Sequence, residues 1–235
     1  MTIHHTGHPL TDEIVGRLRR VKVADLADGA LKLGISVAAA GTALRPAVPY
    51  SSLIGVAMTV RCTLEPGDRS YTDQVLELYD RGLPRRHAIV IQQNDVPDFT
   101  SIGSGGAKIA GAMGYDGWIT SGPMRDTDDL RGTTWPVYGT SIVPAGRLVT
   151  DVPAGHAFRF TFDGVLDIAG MRVAPNDVVV GDNDGVIAME PGSVQAILEE
   201  AEGILRLEHR YYRLIDSGMT FREIIEADRT GGAPE

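Results

Sequence analysis

The stretch from His87 to Leu130, HAIVIQQNDVPDFTSIGSGGAKIAGAMGYDGWITSGPMRDTDDL, decides the fold. His87 to Gln92 is a continuous apolar run of strand length, the pattern of a strand buried on both faces. The glycine-rich turn Ser101-Ile102-Gly103-Ser104-Gly105-Gly106 leads into a helix of small residues, Ala107 to Met113, and then a second strand, Gly117 to Thr120. Strand, glycine loop, helix and strand in this order form a βαβ-type unit. The turns that follow its two strands lie at the same, carboxyl-terminal edge of the sheet. The glycine loop and Ser121-Gly122-Pro123-Met124-Arg125-Asp126 are therefore expected side by side.

Outward from this unit, Thr11 offers a helix N-cap, Asp12 and Glu13 suit the first turn, and Ile14, Leu18 and Val21 recur at helical spacing. Val23 to Leu33 predicts a second helix with Leu26, Ala27, Ala30, Leu31 and Leu33 inward, stopped by Gly34. Leu53 to Thr63 reads as a strand, followed by a turn at Glu65-Pro66-Gly67-Asp68 and about ten helical residues from Ser70. Beyond Pro136-Val137-Tyr138, short β runs (Ala157 to Phe162, Gly164 to Ile168, Asp177 to Val180, Gly185 to Met189) predict a β-rich half packed onto the first. Ser193 to Ser217 reads as a long amphipathic helix capped by Gly218, with a short helix from Phe221 to Asp228. The class is α/β: a flexible tail over residues 1–10, one domain over 11–229 and a polar tail over 230–235. His4, His5 and His8 fall in that first tail, where a metal site is the lesser reading.

The 235 residues hold 22 Lys plus Arg against 31 Asp plus Glu, a net charge of −9, which argues against nucleic acid as a direct partner. Glycine, 28 of 235, is about 12% against a usual ~7%, so tight turns and close backbone approaches are expected. The one cysteine, Cys62, forms no internal disulfide and reads as a small strand residue rather than a nucleophile. Neither a membrane-spanning run nor a secretion signal is apparent, so a cytoplasmic location is expected.

The chemistry concentrates in the paired turns. Free N–H groups from Gly105 to Lys108 at a helix start form an anion site, and Arg125 can grip a carboxylate through two parallel hydrogen bonds. Asp126 supplies a hard oxygen ligand for Mg²⁺ or Mn²⁺, ions that keep several waters and need only one or two protein carboxylates. A surface ion pair with a helix N-cap before Thr127-Asp128-Asp129 is the competing reading of Arg125-Asp126. Lys108 suits an anion contact or a solvated helix position better than a Schiff base. Asp182-Asn183-Asp184-Gly185 lacks the remaining ligands of a calcium loop and reads as a hairpin turn. Asp25 and Asp28 share a helix face, which places them in solvent or along a cleft.

The glycine loop, the Gly114-Tyr115-Asp116-Gly117 turn, Arg125-Asp126 with Asp129 three residues on, Pro136-Val137-Tyr138, and Val173-Ala174-Pro175-Asn176-Asp177 before Gly181-Asp182-Asn183-Asp184-Gly185-Val186 carry a resemblance. Over most of its length the chain resembles the RraA-like proteins, which include 4-hydroxy-4-methyl-2-oxoglutarate aldolases, oxaloacetate decarboxylases and ribonuclease E regulators. The resemblance implies a swivelling β/β/α-type domain, with central sheets flanked by helices, that assembles as a homotrimer or hexamer. In the family's aldolases an acidic residue, twenty intervening residues and Arg-Asp form the metal and substrate site. Here Ser104 holds the leading position, which brings no negative charge but can hold a metal-bound water. Ser121 likewise stands where many relatives carry an acid.

The likeness implies metal-dependent carbon–carbon cleavage of a short 2-oxo acid through a pyruvate enolate. Asp126 would hold Mg²⁺ or Mn²⁺, Arg125 would neutralise enolate charge, and the amides of Gly105, Gly106 and Ala107, with Ser104 and Lys108 nearby, would fix the carboxylate. Retro-aldol cleavage needs a base and decarboxylation does not, so Ser104 favours decarboxylation. In trimeric relatives a neighbour's terminal helix reaches the site, which makes Glu202, Glu208 and His209 candidate acid/base groups, or Glu208 simply part of a wet subunit contact. The rival function is a non-catalytic regulator of the ribonuclease E inhibitor type, whose acidic surface would meet a basic protein.

Overall fold

Thr11 accepts a hydrogen bond from the Ile14 N–H and starts the first helix, α1 (Asp12–Leu18); the second, α2 (Val23–Leu33), ends at Gly34. Strands β1 (Ala38–Ala40), β2 (Arg45–Pro46) and the long β3 (Leu53–Pro66) follow, then α3 (Tyr71–Asp80) and β4 (Ala88–Asn94). Next come α4 (Ser104–Ala112), β5 (Trp118–Thr120), β6 (Pro123–Met124), α5 (Thr127–Arg131), β7 (Val137–Gly139) and β8 (Ser141–Ile142). The chain closes with β9 (His156–Phe162), β10 (Leu166–Ile168), β11 (Met171–Val173), β12 (Val178–Gly181), β13 (Val186–Met189), α6 (Val194–Asp216) and α7 (Phe221–Thr230). This computed structural model describes residues 10–40, 43–80, 86–96, 99–144 and 152–230. The tail histidines His4, His5 and His8 lie outside the described residues.

The predicted βαβ unit is present. Strands β3, β4, β5 and β7 run parallel, with Val56 opposite Ala88 and Val90 opposite Trp118. They form the centre of a nine-stranded sheet in the order β1-β13-β12-β3-β4-β5-β7-β2, and β9 pairs with the distal half of β3. The separate β-rich half expected from the sequence is thus corrected. Strands β12, β13 and β9 extend the same sheet, because β3 runs on to Pro66 and offers one edge to β12 and then to β9.

Alternation along the strands sorts the core. Ile54, Val56, Val178 and Val180 face α1, α2 and the first half of α6. Leu53, Ala57, Ile89, Ile91 and Val179 face the opposite way, onto Leu166, Ile168, Met171 and Val173 of the β10–β11 hairpin. Ala110 and Met113 of α4 pack on Val60, Ala88 and Val90. This layout leaves the ends of β4 and β5 clear for the site.

Several local expectations change. Leu31 is 78% exposed and Leu33 44%, since α2 packs through Leu26 and Ala30 while Leu31 lies roughly 140° around the helix from Leu26 at ~100° per residue. Helix α6 buries Val194, Ile197, Leu198 and Ala201, yet Tyr212 and Ile215 in its second half are exposed. Asp25 lines no cleft; it is buried and accepts from the Lys22 N–H, whereas Asp28 is exposed. Asp182-Asn183-Asp184-Gly185 is the expected hairpin, closed by Asp182 N–H to Gly185 carbonyl, and Asp182 Oδ2 accepts from the Val23 N–H at the start of α2.

Gly55 marks the tightest strand contact, since a Cβ there would stand 2.5 Å from the His87 carbonyl oxygen and 2.5 Å from Ile89 Cγ2. Gly55→Ala is expected to lower stability by about 1–3 kcal/mol through overpacking, read as a lower urea midpoint at unchanged slope. An unchanged midpoint would contradict the strand register.

Candidate active site

The two turns after β4 and β5 are laced together by backbone. Ser101 N–H donates to the Pro123 carbonyl at 2.9 Å, Arg125 N–H to the Ile102 carbonyl at 3.2 Å, and Val143 N–H to the Met124 carbonyl at 2.9 Å. Strand β6 pairs with β8, and Ile102 bridges to Met124. Arg125 and Asp126 therefore leave a pinned segment directly beside the start of α4.

That start lies earlier than the sequence suggested. Helix α4 begins at Ser104, so Ser104, Gly105 and Gly106 are its first turn rather than a loop. The Ala107 N–H donates to the Gly103 carbonyl at 3.0 Å, which removes Ala107 from the expected anion cradle. Ser104 N–H donates to Asp126 Oδ2 at 3.2 Å. The cradle narrows to Gly105 and Gly106, both exposed, where the helix dipole favours an anion. Lys108 is one turn on and exposed.

Asp126 adopts φ 56° and ψ 37°, the left-handed region, at the N-cap of α5. Aspartate tolerates this conformation better than most residues, and the twist turns its carboxylate back onto α4. A Cβ on Gly103 would sit 2.4 Å from Asp126 Oδ2 and 3.2 Å from Arg125 Cγ, so any larger residue there would displace the Asp126 carboxylate. Ser104 Oγ lies 3.5 Å from Asp126 Oδ2 and 3.3 Å from Asp129 Oδ2. The hydrogen bonds to Asp126 all use Oδ2, which leaves Oδ1 for another partner. Arg125 Nε is 3.6 Å from Asp126 Oδ2, and its terminal nitrogens bond no described residue, so the guanidinium fork is open to a carboxylate.

Asp126 and Asp129, gathered on one serine hydroxyl, fit a hard divalent cation that takes one or two protein carboxylates and completes its shell with water or substrate oxygen. Among the described residues no group of three or more His, Cys, Asp or Glu side chains is placed to hold a metal ion, so any cation here would rely on these two carboxylates. Asp129 is the acidic group that the sequence reading left without a role. Its three-residue spacing from Asp126 on α5 was the available signal.

The terminal-helix candidates stand elsewhere in the chain. Glu202 forms a two-pronged ion pair with Arg17 of α1, at 2.8 Å to both nitrogens, and the bonded guanidinium holds its carboxyl below the usual glutamate range. Glu208 meets Lys22 Nζ at 2.8 Å, and His209 is exposed. The structure thus brings Ser104, Gly105, Gly106, Arg125 and Asp126 together, but not Glu202 or Glu208. Ser121 has a structural task, its Oγ accepting from the Asn94 N–H at 2.8 Å. Cys62 is buried, and burial pushes its thiol up to about 12, as expected of a non-nucleophile.

Behind Gly103, Gly106 and Arg125 opens a cavity of ≈ 470 Å³ between α3, α4 and the sheet. Sequence reading missed it because its walls come from β3, β9, α3 and α4, which local periodicity does not bring together. A second depression, containing His87, Asp116 and Pro136, lies at the opposite ends of the strands and holds none of the predicted site residues.

The family model RraA-like (Aldolase/RraA) matches residues 23–188, well over half of the chain. The chain belongs to the RraA-like family. Among solved structures, this RraA-like chain is similar to an uncharacterized protein of Pseudomonas syringae, at 21% identity and TM-score 0.73, covering 93% of this chain and 98% of that one. It is also similar to Streptomyces coelicolor RraAS2, an unusual member of the RNase ES inhibitor RraA protein family, at 20% identity and TM-score 0.68, covering 87% and 98%. At these identities the likeness is one of fold. Protein DlpA of Legionella pneumophila is 23% identical over 184 residues, 78% of this chain and 29% of that protein. An uncharacterized protein of Methanocaldococcus jannaschii is 26% identical over 123 residues, 52% of this chain and 54% of that protein. The chain thus spans less than two thirds of either curated relative. The family covers aldolases and decarboxylases as well as RNase E inhibitors, and its members are typically oligomeric. No helix among the described residues is long and apolar enough to cross a membrane.

The backbone of Asp126 yields a stability test free of any assumption about activity. Asp126→Asn is expected to cost no more than about 1 kcal/mol, the helix-dipole share of the lost charge, because asparagine also tolerates the left-handed region, whereas Asp126→Val should cost about 1–2 kcal/mol more. Equal urea midpoints for the two variants would contradict the assigned conformation.

Proposed function

We propose that this RraA-like protein is a divalent-metal-dependent lyase that cleaves a carbon–carbon bond of a short 2-oxo acid, leaving a pyruvate enolate. The observation that carries the reading is the convergence of an open arginine fork, two unpaired helix-start amides and two carboxylates within one pair of turns. A protein that served only as a docking surface would have no chemical need for an arginine whose terminal nitrogens stand open beside two carboxylates. Aldolase chemistry on 4-hydroxy-4-methyl-2-oxoglutarate and decarboxylation of oxaloacetate are the two forms this reading takes.

Arg125 binds the substrate carboxylate through its free nitrogens and counters the negative charge that develops on the enolate oxygen. The Gly105 and Gly106 amides orient the same end of the substrate. Asp126, supported by Asp129, would hold Mg²⁺ or Mn²⁺, which supplies Lewis-acid polarisation of the ketone when bound. Because Ser104 replaces an acid, the group nearest to serving as a base is Asp129, 3.3 Å from Ser104 Oγ. Decarboxylation releases CO₂ and needs no proton acceptor, whereas retro-aldol cleavage would use Asp129 as the base. Glu202, Glu208 and His209 could join the site only across an interface, in a trimer or hexamer, with Glu202 and Glu208 first leaving Arg17 and Lys22.

Two readouts test the reading: exchange of pyruvate methyl protons in D₂O, and pyruvate release from oxaloacetate and 4-hydroxy-4-methyl-2-oxoglutarate, each with Mn²⁺ or EDTA. Metal-dependent turnover is expected, reduced about 10²–10³-fold in Asp126→Asn, the range for loss of one well-placed charge-stabilising group. Folded, Mn²⁺-loaded protein that neither exchanges pyruvate protons nor releases pyruvate would overturn the lyase and leave the non-catalytic regulator.

A further inference from the structure

The cavity behind Arg125 is made almost wholly of hydrocarbon. Val60 of β3, Val75 of α3, Ile109 and Met113 of α4, and Phe160 of β9 form its walls. Among the described residues that line it, Arg125 is the only charged one. Gly103, Gly106 and Arg125 line the same cavity, so it adjoins the start of α4. Its volume of ≈ 470 Å³ falls in the ~300–1,000 Å³ range of small-molecule pockets, far more room than a three-carbon acid fills.

The hydroxyl oxygens of Thr100 and Ser101, two lining residues, are buried away from the cavity's open space and have no hydrogen-bond partner among the described residues. Gln92 is 2% exposed, with its Oε1 accepting from the Trp118 Nε1–H at 3.1 Å. Among the described residues that line the cavity, no cation besides Arg125 meets a second carboxylate, and burying one without a partner is strongly unfavourable.

Resting on the lyase reading, we infer that the site selects a 4-hydroxy-2-oxo monocarboxylic acid with a bulky apolar or aromatic distal group, whose C3–C4 bond breaks as the hydroxyl proton passes to Asp129, releasing the apolar carbonyl compound and leaving pyruvate enolate. Its carboxylate binds Arg125 and the Gly105 and Gly106 amides, and its tail fills the cavity between α3 and α4. A distal carboxylate long enough to enter the cavity, as in 2-oxoglutarate, would lie against its apolar walls and is disfavoured.

The test is titration calorimetry of the Mn²⁺-loaded protein with pyruvate, 2-oxoglutarate and 2-oxo-4-phenylbutanoate. The phenyl compound is expected to bind about 10- to 100-fold tighter than pyruvate, with a negative heat-capacity change that marks apolar burial. 2-Oxoglutarate should bind no tighter than pyruvate. Ile109 is 49% exposed, so Ile109→Arg can place a cation at the cavity without disturbing the core; it should abolish the phenyl preference and improve 2-oxoglutarate binding. A phenyl compound that binds no better than pyruvate would overturn the inference, as would a preference that survives both Ile109→Arg and Arg125→Gln. Pyruvate binding with methyl-proton exchange but no phenyl preference sinks this inference alone, whereas absence of both sinks the lyase reading as well.

Discussion

The site depends on one contact between residues 22 positions apart, the carboxylate of Asp126 on the first amide of α4. It satisfies a helix N–H that would otherwise lack a partner, and it places a negative charge at the positive end of the helix dipole. Two conditions make it possible: Gly103 carries no side chain to block the approach, and Asp126 accepts a left-handed backbone. The same geometry swings Asp129 toward Ser104 and leaves the Arg125 fork outward. Support for the helix and assembly of the site are therefore one arrangement.

Behind it stands β3, which pairs with β4 on one edge and with β12 and β9 in succession on the other. The parallel registers hold the ends of β4 and β5 together, so the following turns meet at the sheet's carboxyl-terminal edge. Helix α6 braces the opposite end of the domain through α1 and α2, using Glu202 with Arg17 and Glu208 with Lys22. Two of the acidic side chains suggested as acid/base groups thus act as ties between helices within the chain.

What could be read from the sequence followed the range of the forces involved. The buried strand β4, the crossover helix, the Gly34 stop and the Asp182 hairpin are local features of pattern and turn chemistry, and each is present. The start of α4 was misplaced because Ser104, Gly105 and Gly106 are poor helix formers; their cap comes from Asp126, which no local pattern reveals. Strands β9, β12 and β13 were legible as strands but not as partners of β3, since alternation fixes which face is buried and not which strand lies alongside. Arg125 and Asp126 stood out by residue type and position. Asp129 and the apolar cavity depended on tertiary placement.

The central claim is that Asp126 and Arg125 form a single metal and carboxylate site at the start of α4. Its most direct test is a crystal structure with Mn²⁺ and pyruvate, located by the anomalous signal of the metal. The account predicts a Mn²⁺ peak at coordination distance from an Asp126 oxygen, with the pyruvate carboxylate on the Arg125 guanidinium and the Gly105 and Gly106 amides. A fully occupied Mn²⁺ bound elsewhere, or pyruvate lying away from Arg125, would contradict it.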